Sequence, residues 1–123
     1  MNVILWVVQA LLAAAFLMGG LTKATKSRSE LSGKMSWVED FSDGQVKTIG
    51  IVEVLAAVGL ILPALTGILT VLTPLAAAGL VITMIGAAIV HARRGEYPGI
   101  AANIVLLAMA AFVAWGRFGP YAF

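Results

Sequence analysis

Four polar side chains in this sequence sit within or at the ends of long apolar runs: Lys23, Glu53, His91 and Asn103. Glu53 is the most informative. It lies six residues past Lys47, roughly 9 Å along a helix axis, and no charged residue follows it until after Val90. An ionisable group at that depth in apolar sequence is costly and marks a functional site by default. A carboxylate and an imidazole are the usual general acids and bases. An ammonium supplies a countercharge and an amide supplies hydrogen bonds. The chemistry expected is therefore proton donation or acceptance by Glu53 and His91, with Lys23 as countercharge and Asn103 as hydrogen-bond donor, around a small bound molecule. Each residue also has an ordinary reading. Lys23 can snorkel to a headgroup, His91 can be an interfacial loop residue, Asn103 can join helices, and Glu53 can be half of a buried ion pair. Gln9 reads as a joint between helices at the far end of the molecule.

The elements that must position these groups follow from composition. The chain has 123 residues, 61% hydrophobic and only 11% charged, with a mean hydropathy of +1.01. A soluble domain this small has too little interior to hide so much apolar surface, so lipid is the expected solvent and the bilayer the first partner. Residues 3–21 are apolar apart from Gln9, about 19 residues and enough to cross a core of about 30 Å. This stretch lacks a basic leading segment and is too long for the apolar part of a signal peptide, so it reads as a mature helix. The uncharged run from Val54 to Val90 would be about 55 Å long as one helix and must turn, with Pro63 to Gly67 as the breaker. The expected fold class is all-α: an integral membrane bundle of four transmembrane helices at residues 3–21, 46–62, 68–90 and 100–115, in one domain spanning 1–123. Pro74 either kinks the third helix or follows Thr73 as its cap. The fourth helix is short, which predicts local bilayer thinning. In the polar segment 22–45, Ser36 to Glu39 and Ser42 to Gln45 both fit a capping box, and Leu31, Met35 and Val38 suggest a short surface helix.

Helical spacing then gathers the polar groups. Gln9, Ala13, Phe16, Gly20 and Lys23 make one stripe on the first helix, and Gly79, Thr83, Ala87 and His91 make another on the third. Gly50, Ala56 and Ala57 around Glu53 are small enough for close helix contact. If the stripes face inward, Lys23 and His91 converge on Glu53 and Asn103, with Gly20 and Thr83 beside the ligand. Seven of the eight Lys and Arg residues fall in or beside the first and third connections, and only Arg117 lies on the other side. The positive-inside rule then puts 22–45 and 91–99 in the cytoplasm and both termini outside, in the inner membrane.

Several function classes are excluded or weakened. A net charge of +2 with a pI near 9.3 reflects a few basic residues, not the clustered cationic face a nucleic acid needs. There are no cysteines, so thiolate metal sites and redox thiol pairs are excluded. One histidine beside a glutamate is too few ligands for a stable zinc centre, and no metal is expected. Neither a phosphate-binding loop nor a GxSxG motif is present.

The run from Ile49 to Pro63 resembles the second helix of the DoxX-like membrane proteins, and Gly20 with Lys23, His91 and Asn103 extend the resemblance across nearly the whole chain. The resemblance implies a four-helix bundle with a glutamate on its second helix. Its members include small subunits associated with a thiosulfate:quinone oxidoreductase, and related proteins act as assembly factors. The expectation is a site around Glu53 that binds a lipophilic, quinone-like or isoprenoid molecule, in a subunit of a membrane redox system. The alternatives are an assembly or interaction protein in which the polar set only locks the bundle, and a small proton-coupled transporter, which at this size would need a homodimer.

Overall fold

A computed structural model describes residues 1–25 and 42–123. Within them the chain forms four helices: α1 (Asn2–Thr25), α2 (Asp43–Thr66), α3 (Leu72–Arg93) and α4 (Tyr97–Phe118). All four are long and apolar enough to span a membrane, and the protein is an all-α, multi-pass membrane bundle. The surface helix expected around Leu31 to Val38 and the capping box from Ser36 lie outside the described residues.

Helix ends explain where the expected boundaries move. Ser42 caps α2 through the reciprocal pattern read from sequence: its hydroxyl accepts from Gln45 N–H, and the Gln45 side chain accepts from Ser42 N–H. The helix therefore starts at Asp43 instead of Val46. At its other end, Pro63 does not break the helix. It lies inside α2, which continues to Thr66 and stops at Gly67, whose left-handed backbone (φ 72°) lets its N–H reach Pro63 O. A proline removes the hydrogen bond to the carbonyl four residues earlier, and that carbonyl must find another donor in lipid. The carbonyl is Gly59 O, and the Thr73 hydroxyl of α3 donates to it at 2.9 Å. One residue on, Leu60 O accepts from Gln9 Nε2 of α1 at 2.8 Å.

Thr73 thus serves α2 and is not the cap of α3. Nor does Pro74 kink α3: the helix begins at Leu72, and Pro74 falls in the first turn, where N–H groups have no intrahelical partner. His91 belongs to the last turn of α3, which runs on to Arg93. The connection to α4 shrinks to residues 94–96, and α4 has 22 residues. The expectation of a short fourth helix, and of thinning around it, is withdrawn.

The four helices run up and down as two hairpins, α1 with α2 and α3 with α4, whose internal contacts are more extensive than those between hairpins. Gly20 and Gly50 bring α1 and α2 nearly into backbone contact; a Cβ on Gly50 would lie 2.6 Å from Gly20 O and from Ala24 N. Leu12, Phe16, Leu60, Leu80, Ala110 and Val113 fill the core between the hairpins. Large apolar side chains such as Val3, Leu55, Ile82 and Val105 point outward, as lipid-facing positions should.

Candidate functional site

The first-helix stripe faces inward as the spacing predicts: Gln9, Ala13, Phe16 and Gly20 are buried. Lys23, at the end of that stripe, meets Glu53 of α2, with Nζ to Oε1 at 2.6 Å. Glu53 is 3% exposed, so its charge is offset by contact instead of by water. Beside this pair lies a cavity of about 340 Å³, near the low end of the roughly 300–1,000 Å³ usual for small-molecule sites. Lys23, Glu53, Thr83, His91 and Asn103 all line it. Ile49, Met84, Gly86, Ala87 and Val90 supply its apolar wall. Every helix contributes, and α3 contributes most.

Two expected placements change. Gly20 does not reach the cavity wall. It is packed on α2, where a Cβ would come within 2.7 Å of Gly50 O, and its part is to let Lys23 approach Glu53. Gly79 is exposed with open space beside it, so the α3 stripe turns inward only from Thr83 to His91.

The partners of the polar groups are more specific than the sequence indicates. His91 Nδ1 lies 3.1 Å from Glu96 Oε1, and Arg94 Nε lies 3.4 Å from Glu96 Oε2. The carboxylate facing His91 at this distance is therefore Glu96, whereas the sequence suggests Glu53. The ring packs on Gly99, where a Cβ would approach it within 2.7 Å. The Thr83 hydroxyl donates to Gly79 O at 2.9 Å. Asn103 is 9% exposed. Its Nδ2 points at Met84 Sδ, 3.6 Å away, and its Oδ1 is buried without a hydrogen-bond partner. Sequence reasoning missed Met84 and Glu96. Nothing marks Met84, but Glu96 is an acid five residues from the only histidine in a charge-poor chain.

At the other end of the bundle a second polar cluster closes the structure. Arg117 is 3% exposed. Its Nε donates to Gln9 Oε1 at 2.7 Å, and its Nη1 donates to Asn2 Oδ1 and Tyr121 O. The guanidinium also lies 4.1 Å from the Phe123 ring centroid and 5.7 Å from that of Trp6. Through Gln9 and Thr73, this network joins all four helices. No group of three or more metal-ligating side chains occurs among the described residues.

A membrane-spanning four-helix bundle with a buried ion pair on the wall of an intramembrane cavity is the class these features define. The DoxX-like family model matches residues 7–113, and the chain belongs to that family. Neither the curated proteins nor the solved structures contain a match to it.

Proposed function

We propose that the cavity beside Glu53 binds a small lipophilic molecule and that Glu53 donates to it or accepts from it a proton. The observation carrying this reading is the convergence of polar side chains from all four helices, among them the Lys23–Glu53 pair, on the wall of one cavity. A bundle built only to lock its helices gains nothing from an open space beside its buried ion pair, because unfilled space forfeits the packing contacts that hold helices together. In this reading Lys23 offsets the charge of Glu53, His91 is the second acid–base group, and Thr83 and Asn103 orient the ligand. A quinone-like molecule, in a subunit of a membrane redox system, is the occupant that the family resemblance favours. The Lys23–His91 end of the bundle faces the cytoplasm, in the inner membrane.

A second reading, an assembly or interaction protein with a purely structural polar set, draws support from the direct 2.6 Å contact between Lys23 and Glu53. A transporter draws less, since Leu5, Gln9, Val113 and Arg117 are buried at the opposite end, leaving a through-path little room. The deciding experiment is mass spectrometry of lipophiles that co-purify with the protein in mild detergent. Wild type should carry one in near-stoichiometric amount, and Glu53→Gln and Asn103→Leu should lose it while keeping their helical content. A wild-type protein that never carries or binds a lipophile would leave the structural reading in place.

A further inference from the structure

Helices α2 and α3 touch at one end and part at the other. Near Pro63, a Cβ on Gly59 of α2 would lie 3.1 Å from Ala76 Cβ of α3, and the Thr73 hydroxyl reaches Gly59 O. The two helices are antiparallel, so one heptad back from Gly59 and one heptad on from Ala76 the same faces oppose each other again. There Val52 is 49% exposed, and Thr83 lines the cavity. Gly86, the next turn along α3, lines the cavity and is also exposed, with nothing within 4 Å of where its Cβ would be. The cavity is thus open sideways between the two helices. The lips of this cleft are apolar: Val52 on α2, and Ile82 and Ile89 flanking Gly86 on α3, all exposed. Gly86 lies seven residues before Arg93, about 10 Å along the axis, which puts the opening at the depth of acyl chains. We infer that the ligand enters from the bilayer through this cleft and is a single-chain amphiphile, its head in the cavity and its alkyl chain passing over Gly86 into lipid. The volume argues for a head only. At about 30 Å³ for each water-sized group, a cavity of about 340 Å³ takes a ring and a few methylenes, not a long chain as well. Val52, Ile82 and Ile89 suit the methylenes and offer water no hydrogen bond.

This inference rests on the cavity binding a lipophilic molecule at all, and two probes of one head group separate the claims. The probes are para-ethylphenol, which the cavity can enclose, and para-dodecylphenol, whose chain it cannot. Binding is read by calorimetry with purified protein at fixed detergent concentration, and each variant is compared with wild type for the same probe. Wild type should bind both. Val52→Trp crowds the cleft from a position that does not line the cavity. It should weaken the dodecyl probe by at least about tenfold, the scale of an overpacked contact, and leave the ethyl probe within about twofold. Gly86→Leu should also weaken the dodecyl probe more than the ethyl probe. Wild type that binds the ethyl probe and rejects the dodecyl one would overturn the lateral cleft while leaving an enclosed lipophile site. Equal effects on the two probes in Val52→Trp, including no effect on either, would overturn it as well. A wild-type dimer that Gly86→Leu dissociates, seen by light scattering, would assign the cleft to a second copy of the chain and overturn it in another way. If neither probe binds wild type, the inference falls together with the reading on which it rests.

Discussion

The two members of the Lys23–Glu53 pair are not equivalent, and their difference predicts unequal effects of mutation. The Lys23 side chain is 14% exposed and that of Glu53 only 4%. A lysine deprived of its partner can move its ammonium towards the headgroups. A buried carboxylate deprived of its lysine has no such escape, and removing one member of a buried pair typically costs about 3–5 kcal/mol. Lys23→Met should therefore lower thermal stability in detergent by several degrees, Glu53→Gln by much less, and the double variant should regain most of the loss. A larger loss for Glu53→Gln than for Lys23→Met would show that the lysine is as trapped as the glutamate. Arg117 tests a different property. It holds Gln9 and Asn2 through two different nitrogens of one planar fork, a geometry an ammonium cannot reproduce. Arg117→Lys should destabilise the bundle by about 2 kcal/mol, and chemical denaturation that finds it neutral would contradict the assignment. Both clusters were unequally legible in the sequence. A charge inside an apolar run is visible by contrast, so Lys23, Glu53, His91 and Asn103 could be named in advance. Which atom each one meets depends on rotamers and helix rotation, so the sequence points His91 towards Glu53 instead of Glu96 and gives no partners for Arg117.

At the scale of the helices, the feature most easily misread is Pro63. A proline followed by a glycine four residues later is ordinary turn punctuation, yet here the helix passes through it. The reason lies on other helices: Thr73 of α3 donates to the carbonyl that the proline deprives of its donor, and Gln9 of α1 donates to the next one. No local pattern displays such compensation. The cap at Ser42 is legible because its single partner, Gln45, makes both hydrogen bonds and lies three residues away. Thr73→Val keeps the shape and removes the donor, so it should cost about 1–2 kcal/mol through the unpaired Gly59 carbonyl. Equilibrium unfolding of the variant beside wild type measures this, and no change would mean that Gly59 O finds another donor. The glycines separate in the same way. Gly50→Ala forces a Cβ against the backbone of α1, where neither Gly20 O nor Ala24 N is the end of a flexible side chain that could step aside. Overpacking of this kind costs about 1–3 kcal/mol. Gly79→Ala meets nothing within 4 Å and should be neutral or stabilising, although its place on the α3 stripe suggests a packed position. Thermal melts of the two variants should differ in sign or by several degrees. Equal destabilisation would put Gly79 in a contact that the described residues do not make.

The whole molecule has two unlike ends, and this asymmetry bears on how it sits in the membrane. Lys23, Lys47, Arg93 and Arg94 lie where α1 and α3 finish and α2 starts, and Lys26, Arg28 and Lys34 fall in the segment joining α1 to α2. The other end has Arg117 alone, and its charge is folded into the bundle against Gln9, Asn2 and Phe123. It is 3% exposed and so contributes little to the basic character of its own end. The excess of Lys and Arg that orients a membrane protein is thus concentrated at the end that also holds the cavity. The chain has no cysteine, so single-cysteine variants report cleanly. Ala92, exposed near the end of α3, and Ala122, exposed beyond α4, mark the two ends without touching the ion pair or the Arg117 side-chain contacts. In intact cells a membrane-impermeant maleimide should label Ala122→Cys at once and Ala92→Cys only after permeabilisation. The opposite pattern would place the cavity mouth on the outer face and overturn the orientation that the basic residues predict. Labelling of both variants without permeabilisation would mean that the chain inserts in two orientations, in which case the charge difference between the ends is too weak to set the topology.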